Sequence, residues 1–313
     1  MKKISDNAYF FSAATNVGVI NVRRENMNHI SLIDTGNGVE SGFELWKELE
    51  LEFFNKGGFV IDAIINTHGH VDHVGLNNFI QERSKCRIYL ADAETVILKN
   101  PCASIERIWG ANCIHQLKKW YTLKEKFEVT DIIASGDSIQ LADGGTINFI
   151  PLYGHSSEHL GVLYTDSNGK KILFAGDSFL GLDELEKCRI SYQESPLTAL
   201  ETMEKIQRLE VDCIVQSHGQ VEENIDTAKD VVKKNAKALK KLINLIYDLT
   251  GTKKCTLETI VEKSIKKFNV SLRPVSYALI SSTIKSLLSE LYESGELGIS
   301  LKKGKFYWTK EKF

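Results

Sequence analysis

No Cys-x-x-Cys pair occurs in this chain of 313 residues, and its six cysteines (Cys86, Cys102, Cys113, Cys188, Cys213, Cys255) are scattered. The scatter gives no disulfide framework, so the thiols read as reduced, as in a cytoplasmic protein. None shares a motif with a histidine, which leaves them outside any metal site. Long apolar runs are also missing, so nothing in the sequence reads as a membrane span. The opening Met1-Lys2-Lys3-Ile4-Ser5-Asp6 turns polar too soon for a signal peptide. Net charge is nearly absent as well, at −2. That balance hides an asymmetry: residues 1–220 carry about 21 basic and 30 acidic side chains, residues 221–313 about 18 and 11. A basic tail on an acidic body fits a polyanion near the tail, and lysine-rich solvated helices give the same count. The length suits one large domain, residues 1–220, and a small one, residues 221–313.

What the chain does have is histidine at strand ends. Thr67-His68-Gly69-His70-Val71-Asp72-His73 holds three histidines and an aspartate, directly after the apolar run Phe59–Ile65. That run reads as a buried strand, so the polar cluster sits on a loop held by a rigid element. Imidazole and carboxylate together suit zinc, manganese or iron, and so dense a cluster exceeds what one tetrahedral ion takes up. Three further strand ends supply residues of the same kind: His155 after Ile147–Tyr153, Asp177 after Leu173–Gly176, and His218 after Cys213–Val215. The remaining histidines are His29, His115 and His159.

This spacing resembles the metallo-β-lactamase superfamily over roughly the first 220 residues, in its hydrolase branch with a bridging aspartate, to which glyoxalase II belongs. The resemblance implies that His68, His70 and His155 hold one divalent metal. Asp72, His73 and His218 would hold a second, with Asp177 between the two. It also implies that Asp34, in Leu32-Ile33-Asp34-Thr35-Gly36, supports the cluster, and that His159 does so without binding metal. Gly75-Leu76 stands where the family often has a second glycine.

The pattern of elements suits an α/β, four-layer αββα sandwich, which the resemblance implies too. Short strands are expected at 7–12, 17–22 and 29–34, a helix from Val39 to Phe54 ended by Gly57-Gly58, a helix from His73 to Arg83, and strands between Asp131 and Gly176. Residues 102–128 are apolar and aromatic (Ile105, Ile108, Trp109, Ile114, Leu117, Trp120, Tyr121) and read either as a packing helix or as a lid over the site. The tail reads as a helix from Asp226 to Leu249 stopped by Gly251, helices over Leu257–Phe268 and about Ser276–Tyr292, and a hairpin tipped by Lys302, Lys303 and Lys305. Helices followed by a basic hairpin resemble a winged helix-turn-helix, as in the lactamase-like endoribonucleases.

Two metals sharing a bridging hydroxide would attack an ester, thioester or phosphodiester, with Asp72 orienting the hydroxide or passing a proton. Zinc is the expected metal, with manganese or iron as alternatives, and single-stranded RNA is among the candidate substrates. An aspartate at 177 where true β-lactamases usually carry cysteine or another ligand argues against a lactam. Histidine at 70, where diiron oxygen reductases have glutamate, argues against that branch. Two other readings remain: a persulfide dioxygenase with one iron, and a nucleic-acid-binding protein whose metal site is vestigial.

Overall fold

The computed structural model describes residues 1–310. Seven strands form the first sheet in chain order: β1 (Lys2–Lys3), β2 (Ala8–Phe11), β3 (Val17–Arg24), β4 (Met27–Ile33), β5 (Phe59–Ile65), β6 (Arg87–Ala91) and β7 (Asp131–Ile133). The first four are antiparallel, and β4 to β7 run parallel. The second sheet has the order β12-β11-β10-β9-β8, from β8 (Ser138–Gln140), β9 (Thr146–Pro151), β10 (Leu160–Thr165), β11 (Lys171–Gly176) and β12 (Cys213–Gln216). A separate hairpin joins β13 (Gly298–Lys302) to β14 (Lys305–Thr309).

The helices are α1 (Val39–Phe53), α2 (Val71–Val74), α3 (Asn77–Ser84), α4 (Val96–Lys99), α5 (Ala103–Trp109), α6 (His115–Tyr121), α7 (Leu182–Cys188), α8 (Pro196–Arg208), α9 (Ile225–Thr252), α10 (Leu257–Phe268) and α11 (Pro274–Glu293). Among the described residues none is long and apolar enough to cross a membrane. All six cysteines are free.

Strand alternation produces the layers, because successive side chains point to opposite faces. In β5, Ala63 and Ile65 face the second sheet while Ile64 faces α1 and α3. In β11, Phe174 faces the first sheet while Leu173 and Ala175 face α8 and α9. The result is the αββα sandwich read from the sequence.

Three local readings change. The helix expected from His73 to Arg83 is broken at Gly75-Leu76 into α2 and α3. The reason is that the His73 carbonyl accepts from Thr35 N (2.9 Å) and Thr35 Oγ1 (3.0 Å), so it is taken by another segment of chain. Gly251 does not stop α9, which runs on to Thr252. Helices α7 and α8 have no counterpart in the sequence reading. The tail helices are not set apart from the body: Leu242, Ile246, Ile260, Ile284 and Leu287 share one apolar core with Leu173, Met203 and Ile214. Residues 102–128 pack the same way, Ile105, Ile108 and Leu117 closing against Ala278 of α11.

Candidate metal centre

Each candidate residue leaves the C-terminal end of a strand: Asp34 after β4, the His68–His73 loop after β5, His155 after β9, Asp177 after β11 and His218 after β12. Gly176 makes the exit to Asp177 feasible. Its φ is +55°, and a methyl group there would overlap the His159 ring.

The seven candidate residues come together. The Nδ1 atom of His70 lies 2.9 Å from His68 Nε2 and 3.0 Å from His155 Nε2. On the other side, His218 Nε2 lies 3.4 Å from Asp72 Oδ2. Asp177 reaches both groups, with Oδ1 at 3.3 Å from His73 Nε2 and Oδ2 at 3.3 Å from His155 Nε2 and 3.4 Å from His218 Nε2. Three sets of donor atoms each fall within 4.8 Å: His68, His70 and His155; His68, His73 and Asp177; Asp72, His73 and His218.

The surroundings aim these nitrogens inward. His155 Nδ1 donates to the Tyr192 carbonyl (3.2 Å), and His218 Nδ1 to the Ala14 carbonyl (2.7 Å). His73 Nδ1 donates to Asp34 Oδ2 (2.8 Å). Thr67 Oγ1 donates to Asp34 Oδ2 at 2.8 Å and so accepts from His68 Nδ1 at 3.0 Å. In all four rings the outer nitrogen faces a protein partner, so Nε2 is the atom turned to the cluster, and it can ligate a metal when the ring is neutral. His70 Nδ1 can carry a proton toward only one of His68 Nε2 and His155 Nε2, so at about 3 Å one contact is left with facing lone pairs, which a cation between them would relieve. His73 Nε2 and Asp177 Oδ1 are moreover buried without a hydrogen-bond partner. Orphaned donors of this kind are what a metal would satisfy, so these residues fit divalent cations.

Protonation follows the same division. Burial holds His68 well below the usual imidazole range, and His70 and His155 at about 4, the neutral form that ligates metal. For His73 burial opposes the charge, but the Asp177 and Asp34 carboxylates prevail and raise it to about 10. His218 is raised likewise by Asp177 and Asp72. Enclosure works against the charge on Asp72 and Asp177, yet the adjacent imidazoles hold both below the usual carboxylate range. The carboxylates therefore draw positive charge into the cluster.

Supporting residues lie around it. His159 Nε2 accepts from Asp177 N (3.0 Å). Glu94 takes Gly69 N (2.9 Å) and Ser156 Oγ (2.7 Å), tying the two histidine loops together. Sequence reasoning missed Glu94, Thr67 and Tyr192. No motif marks Glu94 or Tyr192, although Thr67 adjoins the cluster. His29 pairs with Asp62 at 2.9 Å and His115 is exposed, so neither joins the site.

Beside His70 opens a cavity of about 330 Å³ whose lining includes Glu94, Ile97, Ser104, Arg107 and Glu194. Helix α5 thus packs on α11 with one face, as the packing reading has it, and lines the cavity with another. Tyr121 also lies within the field of the centre, its hydroxyl pushed up by burial and further by Asp72 and Asp177. Arg107 reaches Glu194 at 3.1 Å, and burial raises the Glu194 carboxyl to about 7.

Comparison with known proteins bears on the family and the fold. An uncharacterized protein of Mycobacterium tuberculosis is 30% identical over 119 residues, covering 37% of this chain and 50% of that protein. The chain thus spans about half the length of the curated relatives it matches. A beta-lactamase domain protein from Burkholderia ambifaria superposes with a TM-score of 0.74 at 14% identity, covering 99% of this chain and 93% of that one. A metallo-beta-lactamase family protein from Thermus thermophilus gives 0.69 at 16% identity, with 99% and 100% covered. A subclass B3 metallo-beta-lactamase of Bradyrhizobium japonicum gives 0.54 at 17%, with 85% and 94% covered. These likenesses establish the fold. The family model of the metallo-beta-lactamase superfamily matches residues 13–218, and the chain belongs to that superfamily.

Proposed function

We propose that the chain is a hydrolase working with two divalent cations, zinc first, with manganese or iron as alternatives. His68, His70 and His155 would hold one, and Asp72, His73 and His218 the other. The observation that carries this is Asp177, whose two oxygens face imidazoles of both groups while Oδ1 has no hydrogen-bond partner. Bound there, the cations would supply Lewis acidity and a water deprotonated near neutral pH. The chain does the rest. Asp72, less buried than Asp177, would orient that water and receive its proton. Tyr192, edge-on to His155 at 5.5 Å, helps to wall the centre from solvent. An aspartate at 177 favours the glyoxalase II-like branch.

The substrate in this reading is a small ester, thioester or phosphodiester, because the cavity beside His70 has the size of a small-molecule site. Residues 1–220 would carry the metal ligands and residues 221–313 a winged-helix-like unit. In support of that unit, β14 bridges to Cys255 between α9 and α10, placing three helices and a hairpin in the order such a unit has. Helix α11, the one expected to read a duplex groove, is covered by the body at Ile280, Ile284 and Leu287. A second reading, single-stranded RNA as substrate, rests on the exposed Lys302, Lys303 and Lys305 at the hairpin tip.

Metal analysis of the purified protein tests the proposal. Two zinc or manganese ions per chain are expected. One iron would favour the persulfide dioxygenase reading, and no stoichiometric metal after reloading would overturn the metal centre altogether.

A further inference from the structure

We infer that Thr283 and Glu290 of α11 are positioning residues for His155, so that the C-terminal helix completes the metal centre. The inference rests on the metal-centre reading above.

His155 can aim Nε2 at the cluster because its Nδ1 proton is held by the Tyr192 carbonyl at 3.2 Å. That carbonyl belongs to the loop between α7 and α8, which has no regular structure to fix it. Its anchors come from elsewhere. Gln193 N donates to Thr283 Oγ1 at 3.0 Å, a bond in which both residues are buried. Leu197 N donates to Glu290 Oε2 at 3.0 Å, and Ser195 Oγ donates to the other Glu290 oxygen. Thr283 and Glu290 stand two helical turns apart, so one face of α11 grips the loop at two points.

The other side of the loop is tied to the strand end that carries His155. Ser195 N donates to the Gly154 carbonyl at 2.9 Å. Gly154 has φ +124°, and a methyl group there would overlap Ala199 of α8, so only glycine allows this approach. The loop is thus held between His155 and α11. A buried amide such as Gln193 N does not stay without an acceptor, so losing Thr283 Oγ1 would shift the segment beginning one residue after the carbonyl that sets His155. Partners behind a ligand of this kind change metal affinity roughly 10–100-fold.

The test uses the full-length chain, stripped of metal and titrated with zinc against a chromophoric chelator. Unfolding temperature is measured on the metal-free form. Thr283→Val should weaken one of the two zinc sites by about tenfold, and Thr283→Ser, which keeps the hydroxyl, should restore it. Leu288→Ala, a packing change on the side of the same helix turned away from Thr283 and Glu290, should lower the unfolding temperature and leave zinc affinity alone. Parental zinc affinity in Thr283→Val overturns the inference. So does a Leu288→Ala variant that loses affinity to the same degree. Should Thr283→Val not fold, Glu290→Gln goes into the same titration, where weakening of one site supports the inference and parental affinity refutes it. A parent that binds no zinc removes the metal centre and this inference together, whereas two bound ions with an unaffected Thr283→Val remove this inference alone.

Discussion

Asp34 and His73 meet at 2.8 Å, carboxylate oxygen to Nδ1, in a fully buried pair. Asp34 also accepts from Thr67 N and Thr67 Oγ1, both at 2.8 Å, and its backbone adopts a left-handed φ of +59°. One side chain thus fixes the start of the histidine loop and its last ring. Among residues with a side chain, aspartate and asparagine tolerate that conformation best.

Asp34→Asn is therefore the informative change, since it keeps the backbone and removes the charge behind His73. We expect the second zinc site to weaken roughly 10–100-fold with little change in fold. Zinc titration beside a circular dichroism spectrum checks this, and unaltered affinity would show that Asp34 only builds the loop.

Asp177→Asn should do more harm than Asp34→Asn. The neutral amide presents an N–H to one of two positions where cations are expected, and it removes the charge between them. The expected loss is roughly a hundredfold or more in kcat on a small activated ester, with fewer than two metals retained per chain. Equal activity in Asp177→Asn and the parent would sink the role given to Asp177.

The site was legible in sequence because ligand-type residues followed apolar runs whose register placed them at strand ends, as with His68 after Ile65 and Asp177 after Gly176. The hairpin was legible too, since Lys303-Gly304 supplies the two positive φ values, +51° and +71°, that a two-residue turn demands. Helix α8 has its signal in Ala199, Met203 and Ile206, with Pro196 at its first position, but that signal lies between two motif-bearing strands that dominate the pattern. The break in α2–α3 could not be read, because it depends on Thr35 capturing the His73 carbonyl across 38 residues of chain. Glu94, Tyr192 and Thr283 were invisible for the same reason: each acts through a tertiary hydrogen bond and carries no local pattern.

Glu194 should make stability depend on pH. Burial lifts its carboxyl from an ordinary 4.5 to about 7 in the folded chain, so folding favours its protonated form. Its contribution is then fully present below about pH 4.5 and is lost as pH rises through about 7. The shift corresponds to roughly 3 kcal/mol at most. Glu194→Gln should remove this dependence, leaving the variant more stable relative to the parent at pH 8 than at pH 4.5. Denaturant unfolding at the two pH values measures it, and parallel curves for the two proteins would exclude the buried carboxyl as the cause.

The hairpin lysines separate the two substrate readings. Lys302, Lys303 and Lys305 are exposed, whereas Trp308 on the same hairpin is buried in the core shared with the body. Changing the three lysines to glutamate should therefore leave the fold intact, since the packing depends on Trp308 and on the bridge to Cys255. A small activated ester needs only the cavity beside His70, so its turnover should stay within about twofold of the parent, as expected for exposed changes away from the site. Cleavage of single-stranded RNA would respond differently, because phosphate contacts made by lysine are strengthened at low salt and reversed in sign by glutamate. RNA turnover that falls steeply at low salt in the triple variant, with ester turnover unchanged, would favour RNA as the substrate. Unchanged RNA turnover at low salt rules out a substrate-binding role for the hairpin. A fall in ester turnover would instead mean that these charges serve the body, which their exposure argues against.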